Sequence, residues 1–301
     1  MKWRKLGRIY CLENVADWAV SHCANPFPEH LQDDVFRIYF SCRDAENRSS
    51  ITCLDFDVVK YEIISHPSVQ VLGPGDPGLF DDSGCSIGCI VNMPGNKKYL
   101  YYMGWCLSVV VPWRNTNGLA ICENDRNEYV KYSTRPIMGL TEEDLYTISY
   151  PAILKVGDTY KMWYGSNLKW GKAKESMNHV IKYAESRDGI HWDTSNHVCI
   201  KGKDESEYAF ARFSVLHEDG IYKIWYSYRG QKYRIGYAES KDGLEWERMD
   251  DLVGIDVSDE GWDSEMIEYP AVFDHKGKRY MLYCGNEFGK TGFGMAELVQ
   301  K

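Results

Sequence analysis

Short apolar runs alternate along the chain with Tyr-rich runs in which apolar and polar residues take turns. That period of two predicts β-strands rather than helices. One pairing recurs: an apolar run, a charged or Gly-containing turn, then an aromatic alternating run. The clearest copies are 150–154 ahead of 160–165 and 269–273 ahead of 279–284. Further copies are 212–216 ahead of 222–227, 87–91 ahead of 98–102, and the faintest, 25–28 ahead of 36–40. With Pro26, Gly88, Pro151, Phe213 and Pro270 as equivalent anchors, the spacings are 62, 63, 62 and 57 residues. Each copy continues into a third strand, at 51–54, 118–121, 181–184, 235–238 and 293–296, and most add a fourth.

Four-stranded antiparallel units repeated radially make propeller blades. The pattern therefore predicts an all-β chain, a single five-bladed β-propeller domain over residues 1–301. The apolar first strands are expected innermost, with the alternating second strands packing one face on a neighbouring blade. The last copy stops after its third strand. Residues 3–10 are expected to supply the missing outer strand, closing the ring and removing an exposed sheet edge. The turns at 186–192 and 240–246 each place Asp-Gly between strand runs, which is a hairpin signal, and read as structural.

Composition narrows the partners. The formal net charge is −9 and no basic stripe is present, which disfavours nucleic acid and anionic membrane surfaces. No run approaches the length of a membrane span, and the N-terminal residues lack the apolar core of a secretion signal. The ten cysteines contain no C-x-x-C, and several sit in apolar runs, so reduced thiols and a cytoplasmic location are expected. Aromatic residues reach 14%, which suits packed strands and also rings that stack on a sugar face. The eight histidines show no metal-ligand spacing, and no phosphate-loop or nucleophile-elbow motif occurs, so neither metal nor cofactor is expected.

Three motifs carry a family resemblance: the x-Pro-x-aliphatic first strands at Pro151 and Pro270, the second strand Tyr160-Lys161-Met162-Trp163-Tyr164, and Gly236-Tyr237-Ala238-Glu239-Ser240 followed by Asp242-Gly243 and Trp246. Over nearly its whole length the chain resembles the five-bladed propellers of glycoside hydrolase families 32, 43, 62, 68, 117 and 130. Segments 261–270 and 283–294 resemble a subgroup that includes proteins of bacterial surface-glycan synthesis. The resemblance implies a carbohydrate substrate and a site at the axis where the first strands begin. With a cytoplasmic location, the expected substrate is an intermediate of glycan assembly rather than a plant-wall polymer. The resemblance also implies an Asp base or nucleophile, a Glu acid and a third carboxylate that orients the acid. Glycosidic cleavage needs one group to protonate the leaving oxygen and another to activate water or attack carbon.

Glu268, two residues before Pro270, matches the acid position of family 43-like enzymes; the alternative is a salt-bridged carboxylate beside the channel. Where the resemblance implies an Asp base, the chain has Asn25-Pro26, and an amide cannot serve as base, so Asn25 is expected to bond a sugar hydroxyl. Asp82 or Asp81 is the replacement base, and Asp263 the third carboxylate, because Phe80-Asp81-Asp82-Ser83 and Trp262-Asp263-Ser264 align ahead of their anchors. The alternative is a repeated turn in which the Asp side chain bonds backbone N–H groups. Tyr150, Arg212 and Tyr269 stand one residue before their anchors and are expected in the pocket; Asn286 is a further binding candidate. Arg212, with Arg43 and Arg229 after their second strands, points to an anionic group on the substrate, a carboxylate or a phosphate. Three readings stay open: a glycosidase-like enzyme with Glu268 as acid, a transferase or phosphorylase on the same scaffold, and a sugar-binding propeller without catalysis.

Overall fold

The computed structural model describes residues 1–123 and 128–300. Almost every element is a β-strand, and the strands fall into antiparallel groups of four. Strand β1 (Lys2–Tyr10) is set apart by its partner at the far end of the chain. The first hairpin group is β2 (Ser21–Gln32), β3 (Val35–Arg43), β4 (Ser49–Asp57) and β5 (Glu62–Ser65). The next is β6 (Gly84–Met93), β7 (Lys97–Leu107), β8 (Trp113–Glu123) and β9 (Val130–Lys131). One parallel pairing, Ser49 with Gly84, joins these two groups. Then come β10 (Ile148–Val156), β11 (Thr159–Lys169), β12 (Asn178–Ser186) and β13 (Asp193–Ile200), followed by β14 (Ala209–Glu218), β15 (Ile221–Arg229), β16 (Tyr233–Ser240) and β17 (Glu247–Arg248). The last group is β18 (Glu268–His275), β19 (Lys278–Cys284) and β20 (Phe293–Gln300), with β1 as its fourth strand. Strand β1 runs antiparallel to β20, Trp3 opposite Leu298 and Lys5 opposite Ala296.

The first strands of the groups pack on one another: β2 on β6, β6 on β10, β10 on β14, β14 on β18, and β18 on β2. Behind them, apolar layers separate successive groups. The second strands show why. Side chains alternate across a strand, so neighbouring residues point to opposite faces. Tyr102 joins the layer shared with Tyr39 and Ile51 of the preceding group, while Tyr101 joins the layer shared with Met162 and Tyr164 of the following one. Trp163 packs with Phe213 and Ile224, and Trp225 with Met281 and Tyr283. The second strands are thus buried on both faces, not one. This explains the adjacent aromatic pairs Tyr101-Tyr102, Trp163-Tyr164 and Trp225-Tyr226.

Several aromatic polar atoms in these layers find fixed partners, while the Trp3 and Trp225 indole N–H groups have none. Tyr101 Oη donates to the Gly189 carbonyl and Trp163 Nε1 to the Gly243 carbonyl, each at 2.8 Å. Those carbonyls belong to the two Asp-Gly turns. In both turns the Asp carboxylate accepts from the two backbone N–H groups that follow the glycine, so the turns are structural braces.

Each first strand carries a register shift at its anchor. In four of them the residue before the anchor adopts a left-handed φ: Asn25 (55°), Tyr150 (48°), Arg212 (45°) and Tyr269 (57°). For residues with a Cβ this conformation costs roughly 1–2 kcal/mol each. The bulge re-aims one side chain per strand. These are the positions that the repeat alignment singles out.

Candidate functional site

A cavity of about 450 Å³ opens at the ends of the first and second strands. That volume suits a ligand of one or two sugar units with substituents. The bulge residues Asn25, Tyr150 and Tyr269 line it, as do Arg43 and Arg229 at the ends of β3 and β15. The Asn25 side-chain oxygen is buried without a hydrogen-bond partner, so an accepting group stands ready for a ligand hydroxyl. Arg229 lies among aromatic rings, its guanidinium carbon 5.3 Å from the Tyr233 ring centre and 5.4 Å from that of Phe288. Its Nε is buried and unpartnered.

Glu268 opens β18, is 0% exposed and is itself outside the cavity lining, next in sequence to Tyr269, which does line it. Neither carboxyl oxygen has a hydrogen-bond partner, and the nearby Phe288 backbone N–H acts weakly in favour of the ionised form. Burial pushes this carboxyl well above the ordinary range, against the pull of Arg229 and Arg43. Burial therefore favours the neutral, protonated form of this carboxyl. Burial also pushes the Tyr150 hydroxyl up to about 12 and that of Tyr269 well above its usual value. Phe288 reaches the cavity on a tight loop that crosses β2. Gly289 (φ 81°) permits that crossing, since a Cβ there would lie 2.7 Å from the Cys23 carbonyl oxygen.

Several expected site residues lie elsewhere. Asp82 accepts from the Gly78 N–H at 3.0 Å and the Ser83 hydroxyl at 2.9 Å, a turn bonded to itself and outside the cavity lining. Asp81 is buried against Lys131 (2.7 Å) and the Tyr102 hydroxyl (3.0 Å). Asp263 repeats that arrangement with Lys5 (2.7 Å) and the Tyr283 hydroxyl (3.0 Å). Asp144, which no aromatic residue precedes in sequence, does so with Lys182 (3.0 Å) and Tyr164 (2.9 Å). The aligned aspartates are therefore pins that tie a loop to the second-strand tyrosine. In Asp81 and in Asp263 the Oδ2 oxygen takes both bonds, Asp81 Oδ1 is buried without a partner, and neither aspartate lines the cavity.

Arg212 also departs from expectation. Its guanidinium donates to the backbone carbonyls of Ile87 (2.9 Å), Gly88 and Pro26 (3.0 Å), and burial lowers its pKa to about 10. It clamps β2 to β6 and is not among the residues that line the cavity. Asn286 is likewise used: its side-chain oxygen accepts from the Glu265 and Met266 N–H groups and its amide donates to the Gly261 carbonyl.

Trp105 also lines the cavity, although no sequence motif marks it. It stands three residues after Tyr102, as Arg43 follows Phe40 and Arg229 follows Tyr226. The positional rule that finds the two arginines therefore also finds Trp105. Among the described residues, no lining side chain is a carboxylate.

No family model matches the chain. Solved structures share its fold. The BT0996 RGII complex aligns over 99% of this chain and 92% of that one, with TM-score 0.74 and 17% identity. A thermostable family-43 glycoside hydrolase aligns over 92% and 88%, with TM-score 0.69 and 14% identity. The Bombyx mori family-32 β-fructofuranosidase BmSUC1 aligns over 92% of this chain and 61% of that one, with TM-score 0.65 and 14% identity. The architecture is that of the β-propeller glycosidases of families 32 and 43 and their relatives. Two curated sequences, the uncharacterized proteins MT1551 and Rv1502 of Mycobacterium tuberculosis strains CDC 1551 / Oshkosh and ATCC 25618 / H37Rv, are each 49% identical over 299 residues, 99% of both chains. The chain belongs to the family of these mycobacterial proteins, and it carries their shared sequence on a glycosidase-like fold.

Proposed function

We propose that the chain is one five-bladed β-propeller domain closed by β1, and an enzyme that cleaves or transfers a glycosyl unit at an anionic group, with Glu268 as proton donor. The packing order of the first strands and the pairing of β1 with β20 support the closed ring. The observation that carries the activity is the Glu268 carboxyl, buried without a hydrogen-bond partner and shifted by burial toward its protonated form, with the cavity residues Tyr269, Arg229 and Arg43 as neighbours. A carboxyl that holds its proton at neutral pH is suited to protonate a leaving oxygen.

In the proposed step the bond between the anomeric carbon and the leaving oxygen breaks, and the electron pair stays on oxygen. Glu268 supplies that oxygen's proton and is left as a carboxylate, whose charge Arg229 and Arg43 offset. An acceptor oxygen forms the new bond to carbon, and Glu268 regains a proton from solvent. Water as acceptor would need a base, and the described cavity lining offers no carboxylate for that task. A phosphate or carboxylate acceptor arrives already ionised and needs none, and the arginines provide for its charge. This favours transfer to or from an anionic group over hydrolysis.

The test is phosphate dependence. Across a panel of p-nitrophenyl glycosides, turnover should rise and saturate with inorganic phosphate, and Arg229→Gln should raise the phosphate concentration needed. Turnover that is indifferent to phosphate and to Arg229→Gln would favour hydrolysis and contradict this reading.

A further inference from the structure

The β7–β8 hairpin ends in an apolar tip that this chemistry leaves unused. Leu107 is 69% exposed, Val110 67%, and Val109 wholly so. Residues 108–112 contain three valines and a proline. Contiguous exposed apolar residues on a soluble protein usually mark a surface that something covers. The tip is held in place. Trp113 pairs with Leu107 across the hairpin. The Trp170 indole donates to the Trp113 carbonyl at 3.0 Å, with the two rings 5.1 Å apart.

This apolar surface continues into the cavity. Met103, Trp105, Leu107 and Pro112 of the same hairpin all line it. The cations come from other groups, Arg43 from β3 and Arg229 from β15. The group of β6 and β7 therefore supplies a mainly apolar side, with Ser86 and Asn115 as its polar members, and the groups of β2 and β14 supply the cations. A ligand that satisfies both has an anionic group and a hydrocarbon part joined at a distance the cavity spans.

We propose that the anionic group bound here carries a hydrocarbon chain, which leaves the cavity along the β7–β8 tip over Leu107, Val109 and Val110. The substrate is then an amphiphile: a glycosyl unit, a phosphate or carboxylate, and an apolar tail. This rests on the reading of the cavity as an anionic glycosyl site and adds the nature of the group attached to the anion.

Isothermal titration calorimetry with octyl phosphate below its micellar concentration, and with methyl phosphate, tests it on the full chain. Covering a few methylene groups should make octyl phosphate bind at least about tenfold more tightly. The double substitution Val109→Ser, Val110→Ser, at exposed positions outside the chemistry, should shrink that preference to roughly twofold while methyl phosphate binds as before. Equal affinity for the two phosphates, or a preference that survives the double substitution, overturns the tail. Failure of both phosphates to bind overturns the anionic site itself, a distinguishable result. A concentration-dependent dimer in sedimentation, abolished by the double substitution, would show that a second copy covers the tip and would also overturn the proposal.

Discussion

Lys5 Nζ lies 2.7 Å from Asp263 Oδ2, a contact that joins the first strand to the loop ahead of the last hairpin, 258 residues away along the chain. The same carboxylate oxygen accepts from Tyr283 at 3.0 Å. Asp263→Asn should therefore act on stability, lowering it by about 1–3 kcal/mol in denaturant titration, since it removes the charge from a buried hydrogen-bonded pair. Activity per folded molecule should stay near that of the unaltered protein. A large loss of kcat with an unchanged unfolding midpoint would return Asp263 to the chemistry.

Arg212 is the corresponding brace at the centre, with its charge buried under three carbonyls of β2 and β6. Arg212→Met should destabilise by at least about 3 kcal/mol, because those acceptors lose their donor in a site closed to water. Arg212→Lys should recover part of the loss but not all, since an ammonium cannot reproduce the planar fork. If instead Arg212→Met folds normally and loses only anion binding, the clamp is misassigned. Urea titration with a parallel phosphate-binding assay separates the two.

Glu268 gives the fold a pH dependence of definite sign. Its folded-state pKa lies well above the ordinary 4.5 through burial, so the folded chain holds this proton more tightly than the unfolded chain does. That contribution is complete below about pH 4.5 and is lost as pH rises toward the raised folded value. Glu268→Gln, which is neutral at every pH, should be more stable than the unaltered protein at pH 8 and should show a flatter decline of Tm from pH 5 to 8. Parallel Tm profiles for the two proteins would mean that Glu268 is ionised and partnered in solution.

Much of the fold is legible in the sequence because its signals are local. The period of two, the Asp-Gly turns and the near-equal anchor spacing each survive without knowledge of distant contacts. The bulge positions are legible for the same reason, and three of them, Asn25, Tyr150 and Tyr269, do line the cavity. What local signals cannot give is the partner a side chain meets across the fold. Asp81 and Asp263 align as the repeat suggests, yet Lys131 and Lys5, which engage them, are 50 and 258 residues away. Arg212 occupies a bulge like Tyr150, but its longer side chain reaches carbonyls 125 residues distant in sequence instead of the cavity. Trp105 escapes notice in the sequence because a tryptophan after a strand reads as core until its equivalence to Arg43 and Arg229 is seen.

The central claim is that Glu268 protonates the leaving oxygen, and leaving-group dependence tests it most directly. Glycosides with alkyl leaving groups need that proton, whereas 2,4-dinitrophenyl glycosides do not. The account predicts that Glu268→Gln cuts kcat/KM at least about 100-fold on alkyl glycosides and only a few-fold on the dinitrophenyl glycosides of the same sugar. An equal loss on both, or none on either, would contradict it.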